Sequence, residues 1–130
     1  MVHFFLPSGI SVNAVCLVFS GDRVLMRQRT EAMLRGLWVF PMIEGKPTLR
    51  QLPSAVRKLT KLAVTGAASA GEAKHVFTHQ IWQMQLYTMS VPEDAQAPAG
   101  YRFVPVEEMG DLAIPTAVKA AVRAVREYVK

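Results

Sequence analysis

Arg27, Arg29, Arg35, Arg50, Arg57, Lys58 and Lys61 are the residues of this sequence whose type and grouping suit one chemistry, the binding of phosphate. No acidic side chain stands between Gly45 and Gly71, and Lys46 adds to the cationic run there. The formal net charge is +5, a sign that suits an anionic partner such as nucleic acid. As a group these cations would give salt-dependent, sequence-independent affinity. Singly, each is also what a solvated surface carries. Residues for covalent or metal chemistry are sparse. Cys16 is the single cysteine and lies in an apolar run. It can form no internal disulfide and hold no cysteine-ligated cluster; it reads as a small buried hydrophobe. His75 and His79 stand four residues apart, a metal spacing only on a helix, and their segment reads as strand. Neither pattern points to a metal site.

The elements that must position these side chains follow from the apolar spacing. Ser11 to Ser20 is nearly all apolar, as a strand buried on both faces would be. Gly21-Asp22 signals a two-residue turn. Arg23 to Arg29 then alternates, with Val24 and Met26 on one side and Arg23, Leu25, Arg27 and Arg29 on the other, giving a hairpin with a cationic edge. Thr30 to Gly36 reads as a loop and Leu37 to Met42 as a short strand ending near Pro41. Leu49, Leu52, Val56, Leu59 and Ala63 predict a helix over 49–64. Pro53 is tolerated only in a first turn, so that helix starts near Leu52; Arg50, Arg57, Lys58 and Lys61 lie on its other face.

Thr65 to Ala73 is a loop or weak strand, and His75 to Val91 the longest strand-like stretch. Trp38 and Trp82 read as core. Pro92 to Gly100 is a turn region, Tyr101 to Val104 a last strand, and Val106 to Ala113 a connector. From about Pro115, Val118, Ala121, Val122, Val125 and Val129 mark an amphipathic helix, with Lys119, Arg123, Arg126 and Lys130 on its solvated face. The order implies an α+β fold, a mixed β-sheet with about two main helices packed on its faces. The 130 residues make a single domain, with residues 1–10 as an N-terminal extension or linker remnant. No stretch approaches the roughly 20 apolar residues of a membrane span, and Met1 to Ile10 lacks the basic leader of a signal peptide. A cytoplasmic chain with no membrane partner is expected.

Val24-Leu25-Met26-Arg27-Gln28-Arg29, followed by Gly36-Leu37-Trp38-Val39-Phe40-Pro41, resembles the Nudix family, where a Gly-Leu-Trp-Glu-Phe-Pro stretch precedes the Nudix box. Val39 stands where Glu is usual. The box reads Gly, five residues, Glu, seven residues, then Arg-Glu-apolar-any-Glu-Glu-any-Gly-apolar. With Gly45 as its first glycine, Gln51 falls at the first Glu, Leu59-Thr60 at the Arg-Glu pair, Ala63-Val64 at the Glu-Glu pair and Gly66 at the second glycine. The glycine frame is kept and the carboxylates are gone. Nudix hydrolysis needs Mg²⁺ or Mn²⁺ held by carboxylates beside a pyrophosphate, so the resemblance implies a Nudix-like fold without that hydrolysis.

A second set of motifs narrows the family. His75-Val76-Phe77-Thr78-His79 resembles the Phe-Ser-His loop in the C-terminal domains of MutY-type adenine DNA glycosylases, with Thr78 for Ser. Tyr101 to Met109 and Leu112-Ala113-Ile114-Pro115-Thr116-Ala117-Val118-Lys119 resemble that family's closing segment. Together the motifs cover about residues 11 to 125. The family removes adenine mispaired with 8-oxoguanine. Its N-terminal helical domain carries the catalytic acid and a 4Fe–4S cluster and flips and excises the adenine.

The resemblance therefore implies that this chain is the 8-oxoguanine-recognition part, with Phe77, Thr78 and His79 at the lesion and no cofactor of its own. Its partners would be double-stranded DNA with an 8-oxoguanine:adenine mispair and the N-terminal catalytic domain of the same polypeptide. It would be monomeric, in a nucleoid-associated, cytoplasmic bacterial activity. A hydroxyl suits the task. Guanine offers an acceptor at N7; 8-oxoguanine carries a hydrogen there and a new acceptor at O8, and a Thr hydroxyl can accept from one and donate to the other. The plainer readings are a Thr78 bonded locally at a strand end, a Phe77 in the core and a His79 that is merely exposed; His75 is a weaker candidate. Two other functions fit the lost box. One is a Nudix nucleotide hydrolase recruiting Glu44, Glu72, Glu107 or Glu108; the other is a hydrolysis-dead module that binds a nucleotide or a protein.

Overall fold

The computed structural model describes the backbone of Phe5–Leu6 and residues 9–130. The rest of the expected extension over residues 1–10 lies outside the described residues. The strands are β1 (Phe5–Leu6), β2 (Ile10–Ser20), β3 (Arg23–Gln28), β4 (Trp38–Val39), β5 (Met42–Glu44), β6 (Thr65–Val76), β7 (Ile81–Ser90) and β8 (Tyr101–Pro105). The helices are α1 (Leu52–Thr60) and α2 (Lys119–Tyr128), with 3-10 turns at Val106–Asp111 and Thr116–Val118. No helix among the described residues is long and apolar enough to cross a membrane.

The described strands form one eight-stranded mixed sheet. At its centre β2 runs parallel to β7, from Ile10↔Ile81 to Phe19↔Ser90, and β6 pairs antiparallel with β7. On its other side β2 meets β3 only at Phe19↔Val24 and Ser20↔Arg23. The two strands then part. β2 takes β5 as its partner, while β3 takes β8 and β4. The sheet splits there, and a cleft opens between the arms.

β2 is buried on both faces because a helix covers each. Val15, Leu17 and Phe19 pack with Val24, Met26, Trp82, Met84 and Leu86 under α2. Ala14, Cys16 and Val18 pack with Leu25, Met89 and the α1 residues Leu52 and Val56. Full burial of such side chains stabilises by about 1.5–3 kcal/mol each, which is why an uninterrupted apolar run belongs in the central strand. Burial pushes the Cys16 thiol up to about 12. Trp82 lies in the core as expected; Trp38 is half-buried, with the Arg102 guanidinium 5.5 Å from its ring centre.

Five expectations are corrected or sharpened. The helix stops at Thr60, where Lys61 turns into the left-handed region (φ 63°) and donates its N–H to the Arg57 carbonyl. Leu49 and Leu59 are therefore exposed rather than core. Thr65 to Ala73 belongs to β6, a full strand with bulges that its Gly and Ala residues permit. The stretch from His75 to Val91 is two strands, because a turn reverses the chain between Val76 and Ile81. Leu37 to Met42 breaks into β4 and β5 around Pro41, whose carbonyl accepts the Cys16 N–H at 2.8 Å. Finally, Phe5 and Leu6 pair with Ser11 and Ile10, so part of the expected extension joins the sheet.

Candidate nucleic-acid interface

The turn between β6 and β7 is locked at its base and open at its tip. Phe77 donates its backbone N–H to the Gln80 carbonyl at 2.7 Å. Its half-buried ring meets His75 edge-on at 4.6 Å and Trp82 at 5.1 Å, a favoured aromatic geometry. Phe77 is thus an anchor at the edge of the core. Gly9 packs beneath the turn: its carbonyl accepts the Ile81 N–H, and a Cβ at Gly9 would come within 3.0 Å of the His79 carbonyl. Thr78 and His79, between these anchors, are exposed. The Thr78 hydroxyl has no hydrogen-bond partner among the described residues, so the local bond of the plainer reading is not made. Both residues border a hollow of about 480 Å³.

Met33 and Gln80 line that hollow and also the cleft at the split of the sheet. The cleft, of about 660 Å³, holds Arg27, Arg29, Glu31, Glu44, Trp82 and Tyr101. Arg29 lies 5.4 Å from the Trp82 ring centre and donates Nε–H to the Met33 carbonyl. Burial lowers its pKa, partly opposed by Glu31, and a guanidinium stays charged regardless. Arg27 donates to Glu31 at 2.6 Å. Partial burial disfavours the Glu31 carboxylate, but the Arg27 hydrogen bond, a backbone hydrogen bond and the fields of Arg27 and Arg29 outweigh it and hold the carboxyl down at about 2. Burial raises the Tyr101 phenol. Sequence reasoning missed Glu31 and Tyr101, since neither the loop pairing of Glu31 nor the register Arg27↔Tyr101 is visible in spacing.

The other candidate cations are not gathered at the turn. Arg35 is exposed in the loop before β4. Arg50, Arg57, Lys58 and Lys61 are exposed on or beside α1, and Arg57 is committed to the Val64 carbonyl at 3.1 Å. Leu59 is the α1 residue that borders the cleft.

The box segment keeps its shape. Gly45 and Gly66 both take positive φ, 94° and 69°, a conformation glycine adopts without strain. Of the positions that should bear carboxylate, Ala63 is exposed and the other three serve packing or capping. Thr60 and Val64 are fully buried. Gln51 closes a reciprocal pair with Thr48: the Thr48 N–H donates to Gln51 Oε1 and the Gln51 N–H to Thr48 Oγ1, a pattern of the capping-box kind in the turn that leads into α1. Among the described residues no group of three His, Cys, Asp or Glu side chains is placed to hold a metal ion. Hard divalent cations need such oxygen donors, so these residues do not fit the Nudix metal.

Comparison with known proteins agrees with this geometry. The chain is 28% identical over 135 residues to the adenine DNA glycosylase of Mus musculus, which covers 94% of this chain and 26% of that protein. The Homo sapiens adenine DNA glycosylase is 29% identical over 112 residues, covering 79% of this chain and 20% of that protein. The chain thus spans about a quarter of the length of the curated relatives it matches. The C-terminal domain of mouse MUTYH, crystallised in complex with human PCNA, superposes with a TM-score of 0.71 at 24% identity, over 91% of this chain and 88% of that one. The MutT protein of Methanosarcina mazei Go1 superposes with a TM-score of 0.72 at 18% identity, over 96% and 99%. At these identities the structures establish a shared fold. The NUDIX domain profile matches residues 14–124, and the chain belongs to the Nudix family.

Proposed function

We propose that this chain is the lesion-reading domain of an adenine DNA glycosylase, recognising 8-oxoguanine opposite adenine while a separate N-terminal domain, with its 4Fe–4S cluster, excises the adenine. The observation that carries the reading is the exposed Thr78 hydroxyl, without a partner among the described residues, on a turn whose base is fixed by Phe77. Against 8-oxoguanine the hydroxyl accepts from N7–H and donates to O8; against guanine N7 is an acceptor, and the same pair cannot form. Pre-set placement matters, because a mobile donor would lose ordering entropy on binding. His79 stands beside Thr78 at the same tip and adds a second polar contact. Arg27 and Arg29 hold the adjoining cleft in shape.

The chain itself performs no hydrolysis in this reading. Its single cysteine fits no iron–sulfur cluster, and its box fits no metal. The hydrolase alternative has two carboxylates in the cleft, Glu31 and Glu44, and Glu31 is engaged with Arg27. One paired assay separates the readings. Duplexes bearing 8-oxoguanine:adenine should bind more tightly than guanine:adenine duplexes, and nucleoside triphosphates should survive incubation with Mg²⁺ or Mn²⁺. Metal-dependent triphosphate cleavage without lesion preference would establish the hydrolase instead.

A further inference from the structure

The sheet face beneath α1 is covered at one end only. Leu52 and Val56 lie over Cys16, Val18 and Met89. At the other end of the same face, Val12 is in register with Gln83 and Gln83 with Lys74, and a hollow of about 470 Å³ opens there. Its rim is polar: Lys46, Lys74, Gln83 and Gln85, with Glu72 as its acid. Gly45 brings Lys46 to the rim by donating its N–H to the Val12 carbonyl at 2.8 Å. Lys74 is fixed by the hairpin register, two pairs back from Val76↔Ile81 at the turn. Glu72 accepts from the Gln85 amide at 3.0 Å. Neither lysine has a carboxylate partner among the described residues.

We infer that this open sheet face, through Lys46, Lys74 and Gln83, grips the sugar–phosphate backbone of the duplex whose damaged base the Thr78 turn reads. The inference rests on the proposed function and adds the surface that supplies affinity. Charge complementarity favours it: two exposed ammonium groups and an amide donor line the hollow, and the acid is engaged with Gln85. Phosphate oxygens accept from such groups without regard to sequence. Distance favours it too. Lys74 lies four residues from Thr78, at most roughly 13 Å of chain because the last two residues turn, within the rise of about four base pairs. The exposed α1 cations, singled out by the sequence for this role, do not border the turn or this hollow.

The test is duplex binding by the whole chain, read by fluorescence anisotropy from 50 to 200 mM salt with 8-oxoguanine:adenine and guanine:adenine duplexes. Lys46→Gln with Lys74→Gln should weaken both complexes by roughly tenfold or more and flatten the slope of log K against log salt by about 2. The ratio between the duplexes should be unchanged. The corresponding arginine pair should bind like the parent, which excludes a folding defect. Arg50→Gln with Lys58→Gln should change little. Parental binding by the double glutamine variant, or a loss confined to the α1 variant, overturns the inference and leaves the lesion-reading proposal standing. A parent chain without preference for the damaged duplex overturns both.

Discussion

The segment from Gly45 to Gly66 and the turn from Phe77 to Gln80 answer opposite demands. In the first, backbone shape persists while the side chains that would hold a metal are absent: the two glycines keep positive φ, Thr48 and Gln51 pair in the turn that leads into α1, and Thr60 and Val64 are drawn into the core. In the second, the backbone is pinned by aromatic contacts and a short hydrogen bond, and the polar side chains are left outside. Scaffold and chemistry are separable in this fold. A position absorbed into packing cannot cheaply be given back a charge, whereas an exposed tip can carry whichever polar group a ligand requires.

The largest effect should come from forcing the box back toward its chemical pattern. Val64→Glu places a carboxylate at a fully buried site with no partner, and should lower unfolding free energy by about 3 kcal/mol or more in urea titration. A neutral result would mean that the box positions remain open to solvent. Next is the base of the turn. Phe77→Ala removes a half-buried ring and its contacts to His75 and Trp82, at an expected cost of about 2 kcal/mol by thermal melting, together with a fall in lesion preference. Stability lost with preference intact would show that Thr78 needs no locked base. Removing the pairing of Gln51 with Thr48 by Gln51→Ala should cost about 1 kcal/mol, without altering preference for damaged DNA.

The smallest effect is electrostatic. The Glu31 carboxyl is depressed to about 2 in the folded chain, below its ordinary value near 4.3 when unfolded. A depressed acid contributes stability above the unfolded value and loses it as pH falls. The parent should therefore lose stability between about pH 5 and 2 relative to Glu31→Gln, modestly, because the pair is partly solvated. Parallel curves would mean that the Arg27 contact contributes nothing to folding.

Much of the fold was legible in the sequence because burial writes itself into spacing. The doubly buried β2, the Gly21-Asp22 turn, the alternation through Trp82, Met84 and Leu86, and the final helix all lie where the pattern places them. Boundaries were less legible where tertiary contacts override pattern. The left-handed Lys61 ends α1 early, and β6 forms from Gly and Ala residues only because β7 supplies its partner. The turn residues were singled out by their resemblance to a family loop; their placement at an exposed tip was not legible. The cations are the weakest part of the reading: spacing grouped those of α1, while register set Lys46 and Lys74 beside Gln83, a pairing between distant segments that no local pattern contains.

The most direct test of the central claim is the preference of the chain for 8-oxoguanine:adenine over guanine:adenine duplexes, measured before and after Thr78→Ala. Thr78 is exposed and has no partner among the described residues, so the variant should melt like the parent. Loss of one hydrogen-bonding group should lower the preference roughly three- to tenfold, with little change in binding to the undamaged mispair. An unchanged preference would contradict the assignment of lesion reading to this turn.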